Sequence, residues 1–236
     1  MNLLSRLGFW IALPFVLPQG LWLRRTAMRL PPATGERCGL VGCGPERRLL
    51  AIGDSIVAGV GIGHMDEALP AQYARALAER LGTQVRWQAL DLNGADCSQL
   101  VASVLPRLPA DPADHILISV GVNDVTRLTS TRNWARHLLA LLVALRAHSP
   151  QATIILTGVP PMRRFPALPW PLRPLFGQRA ERLDQIGADV ARTLPGVHHL
   201  PTPVPDDPAA FAADGYHPCA SACAAWARNL VEALRL

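Results

Sequence analysis

A chain of 236 residues, 50% of them hydrophobic and 17% charged, is long enough for one α/β domain with an appendage and too apolar for wholesale disorder. All 23 basic residues are arginines, which excludes chemistry that needs a lysine, such as a Schiff base or the phosphate-binding lysine of a P-loop. The net charge of +5 comes from scattered arginines without interleaved aromatic residues, so we expect no nucleic-acid partner.

The first 25 residues predict a signal anchor or another membrane-associated segment. Residues 7–23 are mostly apolar, but they include two prolines and two glycines and are fewer than the roughly 20 residues of a spanning helix. An uncleaved anchor, a cleaved signal peptide and a helix lying in the membrane interface therefore stay open. More arginines follow this run than precede it, which favours a main domain on the cytoplasmic side.

Residues 26–46 are rich in proline, glycine and arginine and predict a linker. Cys38 and Cys43 lie close together in this stretch, so that either a small disulfide or two free thiols is possible from the sequence. No Cys-x-x-Cys motif occurs, and no cysteine lies at a zinc-like spacing from a histidine. We therefore expect no metal site.

From residue 47 onward, short apolar runs alternate with amphipathic segments. The predicted strands are residues 49–52, 85–87, 116–120, 153–157 and 197–200. Helical spacing of apolar residues lies between them, as in Tyr73, Leu77 and Leu81 ahead of Gly82. Apolar strands separated by helices indicate a parallel sheet covered on both faces. We predict one domain over residues 47–236 with a flavodoxin-like three-layer α/β/α fold and a mostly five-stranded parallel sheet.

Polar motifs follow three of these strands, where the ligand crevice of such a sheet lies. Gly-Asp-Ser, ending at Ser55, follows the first strand, and a serine there can present both its hydroxyl and its backbone N–H to the crevice. Asn-Gly at Gly94 follows the second strand, and Gly-Val-Asn-Asp, containing Asn123, follows the central one. Each motif alone also fits an ordinary turn or helix cap.

A fourth motif, Asp-Gly-Tyr-His-Pro, precedes the last helix and contains Asp214 and His217. A nucleophilic serine needs a base to take its proton and a carboxylate to hold that base in one tautomer. One turn of chain can place Asp214 against one imidazole nitrogen while the other nitrogen faces Ser55. A structural histidine is the alternative reading.

In this order the four motifs resemble those of the SGNH hydrolases, also called the GDSL esterase/lipase family, over residues 48–234. Ile56 stands where the family usually has leucine, and Asn93 precedes Gly94 where the family often has serine. The second departure makes Gly94 the loosest of the four matches.

The resemblance implies a serine carboxylic-ester hydrolase that works through an acyl-enzyme. Ser55 would attack the ester carbonyl, His217 would accept its proton, and Asp214 would orient His217. The backbone N–H groups of Ser55 and Gly94 and the side chain of Asn123 would hold the oxyanion. No metal or organic cofactor is implied.

A long loop after the fourth strand, residues 160–176, is both apolar and basic. Phe165, Leu168 and Trp170 are therefore candidates to contact an acyl chain or a membrane surface, the alternative being a lid without substrate contact. With the apolar N-terminus, this favours small-molecule or lipid-like esters as substrates. A carbohydrate acetylesterase and a catalytically inactive, membrane-tethered binding module are the alternatives.

The expected location is a membrane, with the side left open. The resemblance favours the cell envelope, whereas the arginine distribution favours the cytoplasmic face.

Overall fold

The computed structural model describes residues 18–234 apart from residues 21 and 24. The expected N-terminal apolar segment therefore falls largely outside the described residues. Residues 18–20, 22–23 and 25–26 are helical, and Leu23 packs against the main core. Within the described part of the chain, no helix combines the length and the apolar character needed to span a membrane.

A six-stranded sheet forms the centre of the domain. Its strands are β1 (Cys38–Val41), β2 (Glu46–Gly53), β3 (Gln84–Asp91), β4 (His115–Ser119), β5 (Thr153–Thr157) and β6 (Val197–Leu200). They lie in the order β1-β3-β2-β4-β5-β6, and β2 to β6 pair in parallel. Those five strands have the flavodoxin-like order 2-1-3-4-5. The predicted fold class is thus confirmed.

Strand β1 is the difference from the sequence expectation. It lies within the segment predicted as a linker and pairs antiparallel with the edge strand β3, with Cys38 opposite Gln88 and Val41 opposite Val85. Its residues are only half-buried or exposed, so the strand forms through backbone pairing and shows no apolar periodicity in the sequence. Cys38 and Cys43 are both free and exposed, without the disulfide that the sequence left open.

Two helical layers cover the sheet. The helices are α1 (Leu69–Leu81), α2 (Cys97–Ser103), α3 (Val122–Thr126), α4 (Thr131–His148), α5 (Leu172–Arg192) and α6 (Ala220–Ala233). Helices α1 and α6 pack together on one face, and α2, α4 and α5 pack on the other. Helix α1 has a proline in its first turn and ends at Gly82, whose φ of 60° is the left-handed conformation expected of a C-terminal glycine.

Buried strand residues serve both layers, which explains their unbroken apolar runs. Ile116 and Ile118 of β4 face the core under α2, α4 and α5, whereas Leu117 between them faces the core under α1 and α6. Trp134 lies in the first of these cores, and its indole Nε1 donates a hydrogen bond to the carbonyl of Leu183, 2.9 Å away. Because both faces are packed, the open space for a ligand lies at the carboxyl ends of the strands.

Candidate active site

Ser55, His217 and Asp214 form a continuous hydrogen-bonded chain at this end of the sheet. Nε2 of His217 lies 2.9 Å from Oγ of Ser55, and Nδ1 of His217 lies 2.6 Å from Oδ2 of Asp214. The structure thus brings together the three side chains that the sequence motifs single out. A carboxylate only accepts hydrogen bonds, so Nδ1 carries the hydrogen and Nε2 is left to accept the hydroxyl proton of Ser55.

The four-residue turn from Asp214 to His217 sets this geometry. Oδ1 of Asp214 accepts the backbone N–H groups of Tyr216 and His217, at 2.9 and 3.0 Å, so one carboxylate both shapes the turn and orients the imidazole. Gly215 has a φ of 63°, which glycine adopts without strain. Burial pushes the pKa of Asp214 upward, but the hydrogen bonds from His217 and the two N–H groups outweigh it and hold that pKa below its usual value.

Ser55 follows β2 at a point where β2 and β4 lie unusually close. A Cβ on Gly53 would come within 2.4 Å of the carbonyl oxygen of Ser119, so the strand can end there only with glycine. The chain then turns, with the N–H of Val60 donating to the carbonyl of Ser55 at 3.0 Å. Within the described residues, the backbone N–H of Ser55 has no acceptor and is available to a ligand.

Gly94 lies in the turn after β3, and its φ of 74° favours glycine. The turn is held by a hydrogen bond from the N–H of Ala95 to the carbonyl of Leu92, at 3.0 Å. As with Ser55, the N–H of Gly94 donates to no group in the part of the chain that the structure describes.

Asn123 reaches the site but is already engaged. Its Nδ2 donates to Oδ2 of Asp54 and to the carbonyl of Ala95, both at 3.0 Å. An amide group has two hydrogens, and here both are used. The sequence expectation of a free amide donor at this position therefore needs a qualification: Asn123 can donate to an oxyanion only after releasing one of these partners.

Asp54 is the functional-site residue whose part the sequence reasoning missed. Its side chain is buried, Oδ1 accepts the N–H of Ile56 at 3.2 Å, and Oδ2 holds Asn123. Burial raises the pKa of Asp54 from its ordinary 3.8 to about 6, although the hydrogen bonds and the nearby His217 oppose the shift. The only sequence signal was its place inside the Gly-Asp-Ser motif, which equally fits a helix cap.

The raised pKa of Asp54 predicts that the free energy of unfolding of the domain depends on pH. Because the folded state binds the proton more tightly than the unfolded chain, the contribution of Asp54 is largest below pH 4 and is lost as pH rises through about 6. The shift of about two pKa units corresponds to roughly 3 kcal/mol. In urea titrations, the free energy of unfolding of the wild type relative to Asp54→Asn should fall by about that amount between pH 4 and pH 7.

The exposed carboxylate of Asp111 supplies the control, since Asp111→Asn removes one negative charge at the surface. A wild type and an Asp54→Asn variant with parallel pH profiles would show that Asp54 is ionised at the same pH in the folded and unfolded chains.

A largely apolar cleft opens beside Ser55 and His217, and the space within it and at its open mouth amounts to about 700 Å³. Its wall includes Phe165, which packs edge-on against Phe211 and Tyr216 with ring centroids 5.6 and 5.1 Å apart. Four further wall residues come from the chain directly after β6, a segment that the sequence analysis did not single out: Thr202, Pro203, Val204 and Pro205. A proline-rich stretch directly after a strand was the available signal.

The other two substrate-contact candidates are not in the cleft wall. Leu168 is 1% exposed and belongs to the core under α2, α4 and α5, because the loop folds back onto the domain and buries it. Trp170 lies at the opposite extreme, with 80% of its surface exposed. Of the three predicted residues, only Phe165 lines the cleft. Among the described residues, no group of three or more histidine, cysteine, aspartate or glutamate side chains is arranged to hold a metal ion.

Comparison with known proteins gives one family. Residues 51–225 match the family described as GDSL-like Lipase/Acylhydrolase. The chain is 32% identical over 199 residues to the GDSL-like esterase Rv1075c of Mycobacterium tuberculosis, an alignment that covers 79% of this chain and 61% of that protein. The chain thus spans less than two thirds of the length of this curated relative.

Two solved structures have a fold similar to that of this chain. The lipase Lip_vut3 from a goat rumen metagenome superposes with a TM-score of 0.64 at 17% identity, over 78% of this chain and 95% of that one. A carbohydrate esterase family 2 enzyme with a carbohydrate-binding domain, from Corynascus thermopiles (Myceliophthora fergusii), gives a TM-score of 0.62 at 18% identity, over 82% of this chain and 67% of that one. Because the family match extends from within β2 to within α6, the chain belongs to the GDSL-like lipase/acylhydrolase family.

Proposed function

We propose that this chain is a serine hydrolase of carboxylic esters that works through an acyl-enzyme. The observation that carries the proposal is the unbroken chain of hydrogen bonds from Asp214 through His217 to Ser55. Oγ of Ser55 attacks the ester carbonyl while Nε2 of His217 takes its proton. The imidazolium then gives that proton to the departing alcohol, and a water molecule repeats the two steps to release the acid and restore Ser55.

The negative charge that develops on the carbonyl oxygen needs donors already in place. The backbone N–H groups of Ser55 and Gly94 are without acceptors in the described structure and supply two of them. Asn123 supplies the third when it exchanges the carbonyl of Ala95 or the carboxyl of Asp54 for the oxyanion. The hydrogen bond from Asn123 to the oxyanion therefore forms only in the transition state. A bond made only there lowers the activation barrier, whereas a bond made equally to the substrate does not.

The cleft wall favours an ester with an apolar acyl group. Phe165, Phe211 and Trp226 contribute aromatic surface next to the nucleophile, and Val122 and Val204 contribute aliphatic surface. Such a wall stabilises hydrocarbon by removing it from water. The competing substrate class is an acetylated carbohydrate, for which the fold likeness to a carbohydrate esterase is the supporting observation.

Membrane association is the second part of the proposal, with the side of the membrane left open. The apolar residues 7–17 run directly into a helical stretch where Trp22 is 61% exposed. One turn earlier, Nε2 of Gln19 donates to the carbonyl of the exposed Trp170 at 3.0 Å. The exposed side chains of Trp22 and Trp170 support an interfacial surface, because tryptophan side chains favour the headgroup region.

The deciding experiment is an acyl-length series on the full chain. We expect p-nitrophenyl butyrate and octanoate to give a higher kcat/KM than the acetate, and a fluorophosphonate probe to label the peptide that contains Ser55. A preference for releasing acetate from acetylated oligosaccharides would favour the carbohydrate esterase. A folded protein inert to every ester and to the probe would point to the binding module.

A further inference from the structure

Arg127, a residue outside the four motifs, forms hydrogen bonds to the turn that carries Gly94. Arg127 follows helix α3, and its Nη2 donates to the carbonyl of Gly94 at 2.9 Å. Its Nη1 donates to Oδ2 of Asp96 at 2.8 Å and also to the side-chain carbonyl of Gln99. One guanidinium therefore joins the Gly94 turn to the first turn of α2.

A second contact from the same part of the chain holds the next peptide group. Nδ2 of Asn123 donates to the carbonyl of Ala95 at 3.0 Å, as described above. The carbonyls of Gly94 and Ala95 are thus fixed by two side chains four residues apart, Asn123 and Arg127. Besides these two contacts the turn has the hydrogen bond from the N–H of Ala95 to the carbonyl of Leu92, and glycine by itself allows many backbone conformations.

We propose that Arg127 is a positioning residue that aims the N–H of Gly94 at the oxyanion. This inference rests on the proposed esterase function and deepens it. The planar guanidinium presents several N–H donors in a fixed geometry, so it can hold the Gly94 carbonyl and Asp96 at the same time. With the carbonyl of Gly94 held, rotation about the glycine backbone is restricted, and the N–H keeps the direction that the developing charge requires.

Asp96 completes the connection. Its Oδ1 accepts the N–H of Gln99 at 3.0 Å and the hydroxyl of Ser98 at 2.6 Å, so it caps helix α2 while Oδ2 holds Arg127. Helix α2 packs against α4, and its residues Cys97 and Leu100 are fully buried in the core. The guanidinium therefore connects the Gly94 turn to helix α2 and restricts the conformations that Gly94 can adopt.

The side chain of Arg127 is 45% exposed, so its effect on activity can be measured separately from its effect on the stability of the fold. The partner Asp96 is 14% exposed, but solvent reaches the guanidinium and screens the ion pair, so we expect it to contribute on the order of 1 kcal/mol to folding. Its removal should therefore change the geometry of the turn more than the stability of the domain.

The test compares Arg127→Gln with Arg86→Gln in the full chain. Arg86 is the matched control, because it makes a bidentate, exposed ion pair with Glu46 on the sheet, with bonds of 3.0 and 2.8 Å. For Arg127→Gln we expect kcat and kcat/KM for a p-nitrophenyl ester to fall together by roughly tenfold or more, as for an interaction realised only in the transition state. The rate of fluorophosphonate inactivation should fall in parallel, whereas Arg86→Gln should match the wild type.

Two further measurements distinguish positioning from a loss of fold. Amide hydrogen exchange of residues 93–96 should be faster in Arg127→Gln, with an unchanged midpoint of urea unfolding. Arg127→Lys should recover part of the activity, since one ammonium cannot replace the guanidinium fork, and ethylguanidinium should restore activity to Arg127→Ala.

The inference is overturned if the wild type hydrolyses esters through Ser55 and Arg127→Gln retains its kcat. A wild type inert to esters and probe overturns the proposed function, and the positioning role with it. The two failures are told apart by the wild-type activity alone.

Discussion

The substitution Ser55→Ala is expected to lower kcat for ester hydrolysis by roughly 10⁶-fold, because removing the nucleophile of a triad abolishes the acyl-enzyme route. The hydroxyl makes its hydrogen bond to Nε2 of His217 and fills no core position, so the domain should keep its stability. Initial rates on p-nitrophenyl butyrate measure the loss, and urea unfolding measures the stability.

A second alanine variant controls for the loss of a hydroxyl. Ser103 is exposed near the end of helix α2, and Ser103→Ala should keep the wild-type rate. Substantial turnover by purified Ser55→Ala would contradict the acyl-enzyme mechanism, since no water-only route through His217 should approach the wild-type rate.

The second large effect is expected for Asp214→Asn, at roughly 10⁴-fold in kcat. The asparagine oxygen can keep the two backbone N–H bonds of Tyr216 and His217, so the turn should survive. Its NH₂ group then faces Nδ1 of His217, which must act as an acceptor. The hydrogen moves to Nε2, and that nitrogen can no longer take the proton of Ser55.

The control for this variant is Asp207→Asn in the preceding loop. Asp207 also accepts a backbone N–H, that of Ala209 at 2.8 Å, but its side chain is on the surface and contacts no catalytic candidate. A loss of activity in Asp207→Asn equal to that in Asp214→Asn would mean that loop distortion, and not the tautomer of His217, explains the effect. Fluorophosphonate labelling of both variants gives an independent readout of the reactivity of Ser55.

The two effects are expected to differ because only one of the two groups contacts the reacting carbonyl directly. In the proposed mechanism Ser55 forms the covalent bond to the acyl group, and no other group can replace it. Asp214 would act through His217, and its pKa below the usual range would keep it ionised while it stabilises the imidazolium. Arg127 lies one step further out and acts through the direction of a backbone N–H, which explains its smaller expected effect.

The order of elements and the catalytic candidates were both readable in the sequence. The central residues of β4 and β5, 116–118 and 154–156, are apolar without interruption because both faces of the sheet are covered. The turn from Asp214 to His217 is local, so its geometry follows from four consecutive residues. Ser55 follows a strand, whereas His217 lies on the loop before α6, so their meeting was expected from the resemblance of the motifs to the family and not from strand ends alone.

Other features depend on contacts between segments distant in sequence. Strand β1 exists because β3 offers an unpaired edge, and backbone pairing leaves no trace in side-chain periodicity. The conformation of one loop determines that Leu168 is buried and Trp170 is exposed. The sequence does not distinguish these outcomes, because an apolar side chain can lie in a core, in a cleft or on the surface.

Local sequence therefore determined which groups could perform the chemistry and which strand ends Ser55, Gly94 and Asn123 follow. Only the tertiary structure decided what each polar group is bonded to: that Asn123 is held by Asp54 and Ala95, and that Arg127 reaches the Gly94 turn. The physical reason is that a hydrogen bond acts over about 3 Å. Its partners can be brought within that distance from anywhere in the chain, whereas a motif specifies only its own neighbours.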